Sequence, residues 1–289
     1  MRPETPREPQ TRVFDPPVSC SLPPASVLGY GRRVTSYGML GVGSIATAIV
    51  TGLCDGVVEP PEIVLSPRNA NRAADLAARF PSVRVAMNNQ EVVDDSDVVV
   101  VCLLPIHAAE VLAGLQFRAG HAVVSAIAGF PVARLAGLVA PATDIARSIP
   151  LSAVATRAGV TPVYPATPAA TGLYGQIGGS LEIATELAYE SVSAASATVA
   201  AYFRYLGTIA GWLSSHGIPT AEARRYVADT FAALSGELDS PDADFAALAQ
   251  AHTTPGGLNE QFARHLDAAG TYDAVEAGLD ALLARITQR

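Results

Sequence analysis

The sequence predicts an α/β fold in which a doubly wound sheet is followed by an all-helical domain, on three observations. From Ser36 to about Ala184, short apolar runs alternate with helix-like segments. A G-x-G-x-x-A turn, Gly41-Val42-Gly43-Ser44-Ile45-Ala46, joins the first such run to the first helix. After Thr185 the alternation stops, and residues 186–216 contain no proline and read as one long helix. Alternation of this kind makes a parallel sheet covered on both faces, and proline-free small-residue segments make a helical bundle.

Taken in order, residues 1–33 hold seven prolines and no apolar period. They are expected to be a disordered tail, or to precede a natural start near Val34. Residues 34–184 form the first folded domain. Its first strand is 37–40, with a helix running to about Leu53. Glu62-Ile63-Val64-Leu65 is the second strand, followed by Ser66-Pro67-Arg68 and a helix over 70–80 capped by Asn69. A short strand at 83–85 and a short helix at 88–94 come next. The nearly continuous apolar run 98–103 has the pattern of a buried parallel strand. Further strands are expected at 121–125, 145–148, 161–164 and 181–183, with a helix over 131–139. Residues 185–289 form the helical domain: the long helix first, then one from Thr220 toward Leu238, then helices over 242–252, 258–269 and 272–286.

Composition narrows the function classes. Hydrophobic residues make up 49% of the chain and charged residues 16%, ample for a core and sparse for a surface. Some apolar surface is therefore expected to be covered by a partner subunit. A net charge of −8 argues against nucleic acid as a ligand. Cys20, Cys54 and Cys102 are isolated, with no spacing suited to a metal, so none is expected. The longest apolar runs are broken by Pro105 and Glu110 or by Pro131 and Arg134. No membrane span is expected, and the N-terminus has no apolar core of a secretion signal. The expected location is the cytoplasm.

The glycine turn carries the first chemical signal. Gly41 permits the tight turn, Gly43 lets a pyrophosphate approach the backbone, and Ala46 lets helix and strand pack closely. Amides of Ser44 and Ile45, at the positive end of the helix, face the phosphates. The expected fold is therefore Rossmann-type. Where a domain of this kind that prefers NAD carries an acid after strand two, this chain offers Leu65-Ser66-Pro67-Arg68-Asn69. A hydroxyl and a guanidinium at Ser66 and Arg68 suit the 2′-phosphate of NADP. An arginine that merely solvates the helix start is the plainer alternative.

The second signal is His252-Thr253-Thr254-Pro255-Gly256-Gly257-Leu258-Asn259. Pro-Gly-Gly before a helix exposes unpaired amides that can seat a carboxylate, although a simple connector would look the same.

Together these segments resemble the pyrroline-5-carboxylate reductase family. The resemblance rests on Gly41–Ala46, Ser66-Pro67-Arg68-Asn69, Ser125-Ala126-Ile127-Ala128-Gly129, Arg147-Ser148-Ile149-Pro150 and Thr254-Pro255-Gly256-Gly257-Leu258-Asn259, in that order along the chain. It implies an NADP-binding domain followed by a helical dimerisation domain. It also implies a homodimer or higher homo-oligomer whose site lies between the first domain of one subunit and the second of another. The cofactor set it implies is Gly41, Gly43, Ser44, Ile45, Ser66, Arg68, Leu103, Pro105 and Ala126. Thr254, Gly256, Gly257 and Leu258 would hold the substrate carboxylate, and Asn259 would orient an imine nitrogen.

The chain departs from the family at its substrate motifs. Leu258 and Asn259 stand where the family has two threonines, Leu151 replaces an asparagine, and Leu103-Leu104-Pro105-Ile106 replaces Val-Lys-Pro-Gln. The expected activity is NADP-dependent hydride transfer to the C=N bond of a small cyclic imino acid, giving a proline-type product. Two alternatives stay open: a reductase of the same plan acting on another imine or keto acid, and an idle NADP-binding sensor or scaffold. Reductases of the hydroxyacid type rely on a lysine, and this chain has none. His107, after strand four, and His252, beside the glycine loop, are minor candidates for the site.

Overall fold

The computed structural model describes residues 35–238 and 244–288. The expected tail, and the start of the helix expected over 242–252, fall outside these. Eight strands form one sheet: β1 (Tyr37–Leu40), β2 (Ile63–Leu65), β3 (Val83–Val85), β4 (Val98–Val101), β5 (Ala122–Ser125), β6 (Asp144–Ser148), β7 (Thr161–Tyr164) and β8 (Ser180–Glu182). Their order is β3-β2-β1-β4-β5-β6-β7-β8. All neighbours pair in parallel except β6 and β7, which are antiparallel. Strand order reverses between β1 and β4, the position at which open sheets of this type bind ligands beyond their strand ends.

Six helices complete this part: α1 (Ser44–Cys54), α2 (Ala70–Arg79), α3 (Asn89–Asp94), α4 (Pro105–Ala113), α5 (Val132–Val139) and α6 (Pro168–Gly175). The period of two in β4 shows why both faces are covered. Val98 and Val100 enter one apolar cluster with Ile49 and Leu53 of α1 and Leu173 of α6. Val99 and Val101 enter the other, with Val92 of α3, Leu112 of α4 and Leu135 of α5. Each of these four valines is at most 5% exposed, as a strand buried on both faces requires.

The helical part comprises α7 (Glu186–Ser196), α8 (Val199–Ser215), α9 (Thr220–Leu234), α10 (Phe245–Ala251), α11 (Leu258–Ala268) and α12 (Thr271–Thr287). The single helix expected over 186–216 is two. At the joint, the amides of Ala197 and Thr198 bond back to Ala194 and Ala195, three residues away rather than four. The hydroxyls of Ser196 and Thr198 take the carbonyls of Ser193 and Ala195. Hydroxyls competing for backbone groups weaken a helix at such a run.

Three other differences have local causes. α4 and α6 add to the elements expected; Pro105 and Pro168 each occupy the first turn, where a missing N–H costs nothing. The strand expected over 98–103 ends at Val101. Asn69 stands at the N-cap of α2 but does not cap it, since its side chain donates to the Val42 carbonyl at 3.0 Å.

Candidate functional site

The site begins where β1 meets α1. Gly41 has φ of +92°, and a Cβ there would lie 2.6 Å from the Cys102 carbonyl, so the turn and the close approach to β4 both require glycine. Leu103 lies against the same position. A Cβ at Gly43 would meet nothing within 4 Å, leaving open space above the helix end. The first intrahelical bond runs from Thr47 N to Gly43 O, and no side chain caps α1. Three amides, those of Ser44, Ile45 and Ala46, therefore have no helical partner and point at that space. Open space with three free donors at the positive end of a helix fits a dinucleotide pyrophosphate.

Two residues after β2 hold this turn from below. The Ser66 hydroxyl is 1% exposed and its oxygen accepts from Gly41 N at 2.9 Å. Ser66 was expected to touch a 2′-phosphate; buried in this way it instead fixes the shape of the glycine turn. Asn69 ties down Val42 from the other side. Arg68 is exposed and carries no partner among the described residues. Arg72, which the sequence reading missed, reaches from α2 to donate to Ser44 Oγ at 3.2 Å. Its four-residue spacing from Arg68 was the available signal.

Beyond the ends of β4, β5 and β6 lies a cavity of about 430 Å³. Pro105 and Ala126, both expected in the cofactor site, line it, as do Arg147 and Ser148. α7 closes one side with Tyr189, Ser193 and Ser196, and α12 contributes Arg285. Arg147 is 1% exposed and its Nη1 donates to Glu190 at 2.6 Å and Glu186 at 3.2 Å. Its guanidinium also stacks 4.4 Å from the Tyr189 ring centroid. This network joins the sheet to α7, and the sequence showed only the Arg147 end of it. The Ser148 hydroxyl bonds to the Ser125 carbonyl and to Tyr174 Oη at 2.8 Å.

Acid–base character at these positions is weak. Burial pushes the Tyr174 and Tyr189 phenols up, against the Ser148 hydrogen bond in one case and Arg147 in the other. Burial likewise pushes the Cys102 thiol up to about 12. Of the three, only Tyr189 lines the cavity, and burial disfavours its charged form.

Thr254, Gly256, Gly257, Leu258 and Asn259 form the connection from α10 into α11, and none lines this cavity within the same chain. Two of the expected carboxylate donors are taken: Gly256 N donates to Glu260 at 2.7 Å and Gly257 N to Thr254 O at 2.8 Å. The first bond within α11 runs from Gln261 N to Gly257 O. The free amides are consequently those of Leu258, Asn259 and Glu260, one to two residues further on than expected. Asn259 Nδ2 donates to the His252 carbonyl at 2.7 Å, and His252 Nε2 meets Glu237 at 2.9 Å. His107 is half-buried in the first turn of α4 and lines none of these features.

Comparison with known proteins bears on both halves. Residues 36–129 match the family model described as NADP oxidoreductase, coenzyme F420-dependent, and residues 185–289 match pyrroline-5-carboxylate reductase dimerisation. The pyrroline-5-carboxylate reductase of Pseudomonas aeruginosa is 26% identical over 84% of this chain and 92% of its own length. That of Mycobacterium tuberculosis is 28% identical over 86% and 95%. The helical part of the chain thus matches the dimerisation region of the pyrroline-5-carboxylate reductase family.

The fold agrees over most of the chain. The Streptococcus pyogenes enzyme of this family superposes with a TM-score of 0.75 at 23% identity, over 88% of this chain and 99% of that one. The Plasmodium falciparum structure, described with NADP bound, gives 0.74 at 16% identity over 87% and 97%. The sheet is thus a Rossmann-type fold, and residues 185–289 match the dimerisation region named above. Among the described residues, no group of three or more His, Cys, Asp or Glu is placed to hold a metal ion. No helix there is long and apolar enough to cross a membrane.

Proposed function

We propose that this chain is an NADPH-dependent reductase of a small cyclic imino acid, with pyrroline-5-carboxylate the first candidate and proline its product, working as a homodimer or higher homo-oligomer. The observation that carries this reading is the open, uncapped end of α1, together with a cavity lined by Pro105, Ala126 and Ser148, in a chain whose helical part matches the family's dimerisation region. NADPH supplies the hydride, which goes to the imine carbon while the nitrogen keeps its proton and becomes a secondary amine.

The protein's part is positioning. Amides of Ser44 and Ile45 seat the pyrophosphate, and Arg68 takes the 2′-phosphate. Ala126 and Pro105 bound the nicotinamide end, where apolar walls exclude water. From the partner subunit, Thr254 and the free amides of Leu258 and Asn259 hold the carboxylate. One N–H of the Asn259 Nδ2 is bound to the His252 carbonyl, and Oδ1 can accept, the polarity that a protonated imine nitrogen needs. No strong acid is required, because cyclic imines are readily protonated in water.

The test is NADPH consumption by the purified full chain over a panel of cyclic imines with and without a carboxylate, repeated with NADH. Reduction of carboxylate-bearing imines, faster with NADPH, is the expected result. Turnover confined to carboxylate-free imines would remove the anion seat from the account. NADPH bound tightly with no turnover anywhere would identify an idle binding protein.

A further inference from the structure

We propose that Arg72 is the second phosphate ligand that sets the preference for NADP, closing on the adenosine 2′-phosphate together with Arg68. This rests on the NADP reading above and assigns it to a different residue pair from the one the sequence suggested. Ser66 is buried beneath the glycine turn with its oxygen accepting from Gly41 N, which leaves Arg68 without its expected partner in binding. Arg72 fills that place. It lies on the first turn of α2, four residues beyond Arg68, which sits in the short connection between β2 and that helix.

Its side chain is already aimed. Arg72 Nη1 donates to the Ser44 hydroxyl at 3.2 Å across the groove between α1 and α2, beside the free amides of the pyrophosphate seat. That groove, of about 330 Å³, is lined by Ser44, Thr47, Arg72, Asp75, Leu76 and Arg79. Asp75 and Arg79 lie further along α2, and the Arg79 guanidinium is stacked over Phe80 at 4.8 Å. Arg72 is the cation at the Ser44 end of the groove. α2 follows β2, which lies on the far side of β1 from β4. Arg72 accordingly approaches from the adenosine side of the switch point and away from the cavity at β4–β6.

Charge supports the assignment. The chain carries −8 overall, yet residues 68–79 hold three arginines, Arg68, Arg72 and Arg79, against the single acid Asp75. A local positive patch in a negative protein is what holding a dianionic phosphate monoester demands. NAD, which has a ribose hydroxyl at the same place, gives Arg72 nothing to pair with.

The experiment measures dissociation constants of NADP⁺ and NAD⁺ for the full chain and for Arg72→Ala, Arg68→Ala and the double variant. For Arg72→Ala the expected result is NADP⁺ binding weakened about tenfold to a hundredfold with NAD⁺ binding unchanged. Both substitutions together should erase the difference between the two nucleotides. Equal weakening of both would overturn the proposal, because it would make Arg72 a brace for the pyrophosphate seat. Unchanged binding of both would overturn it as well. Failure of the underlying reading looks different: the unsubstituted chain would itself bind NAD⁺ as tightly as NADP⁺.

Discussion

At Asn259 the family's hydroxyl side chain has become an amide, and the amide is held by one end only. Nδ2 is bound to the His252 carbonyl, which fixes the rotamer and presents Oδ1 as an acceptor. Asn259→Ala is therefore expected to lower kcat for imine reduction by about tenfold to a hundredfold, the worth of a hydrogen bond to a charged group, with NADPH affinity unchanged. Stopped-flow turnover alongside NADPH titration checks this. Residues of the glycine turn could be read directly from the sequence because each has a steric reason local to the turn. Ser66 and Arg72 could not be separated that way. Which of two polar residues faces a ligand depends on how α1 and α2 come together, and the Gly41 N–H captured the one that the motif favoured.

Among the elements, α7 is the one that binds the two parts of the chain together. Arg147 on β6 is buried against Glu190 and Tyr189 of α7, and only the more exposed Glu186 offers a second carboxylate. Removing Glu190 leaves a buried guanidinium poorly compensated. Glu190→Ala should cost about 3–5 kcal/mol of unfolding free energy, measurable by denaturant titration. The conservative Glu190→Asp should recover part of it. Strand positions in the first domain followed from periodicity, because buried parallel strands are continuous apolar runs. The break between α7 and α8 did not, since Ser193-Ala194-Ala195-Ser196-Ala197-Thr198 has helical composition throughout. Only hydroxyl bonds to the backbone stop it there.

Across the whole molecule, burial is unevenly shared. The sheet and its helices have a dense core, while among the described residues of α8–α12 only Ala210, Ala223 and Val227 are buried apolar residues. Tyr202, Phe203, Trp212, Tyr226 and Phe262 are exposed in the single chain, with Trp212 at 59%. A helical region that apolar on its outside is stable when another subunit covers it, in keeping with its match to a dimerisation region. The Thr254–Asn259 loop does not line the Rossmann cavity within one subunit, as the proposed shared site requires. Composition signalled that a partner was needed; which loop of the partner completes the site came from the resemblance.

The central claim is that the cofactor half of one chain and the loop of another make a single reducing site. Gly43→Val fills the pyrophosphate cradle, where a Cβ meets no protein atom, and Asn259→Ala disables the loop. The measurement is pyrroline-5-carboxylate reduction by a heterodimer of these two variants, co-expressed under separate tags and purified through both. Gly43→Val alone is expected to be nearly inactive, and Asn259→Ala alone to be slowed by about tenfold to a hundredfold as above. A site shared between subunits leaves one of the two sites with both halves intact, so the heterodimer should recover about half of the unsubstituted activity. Activity no higher than that of either variant alone would contradict the account.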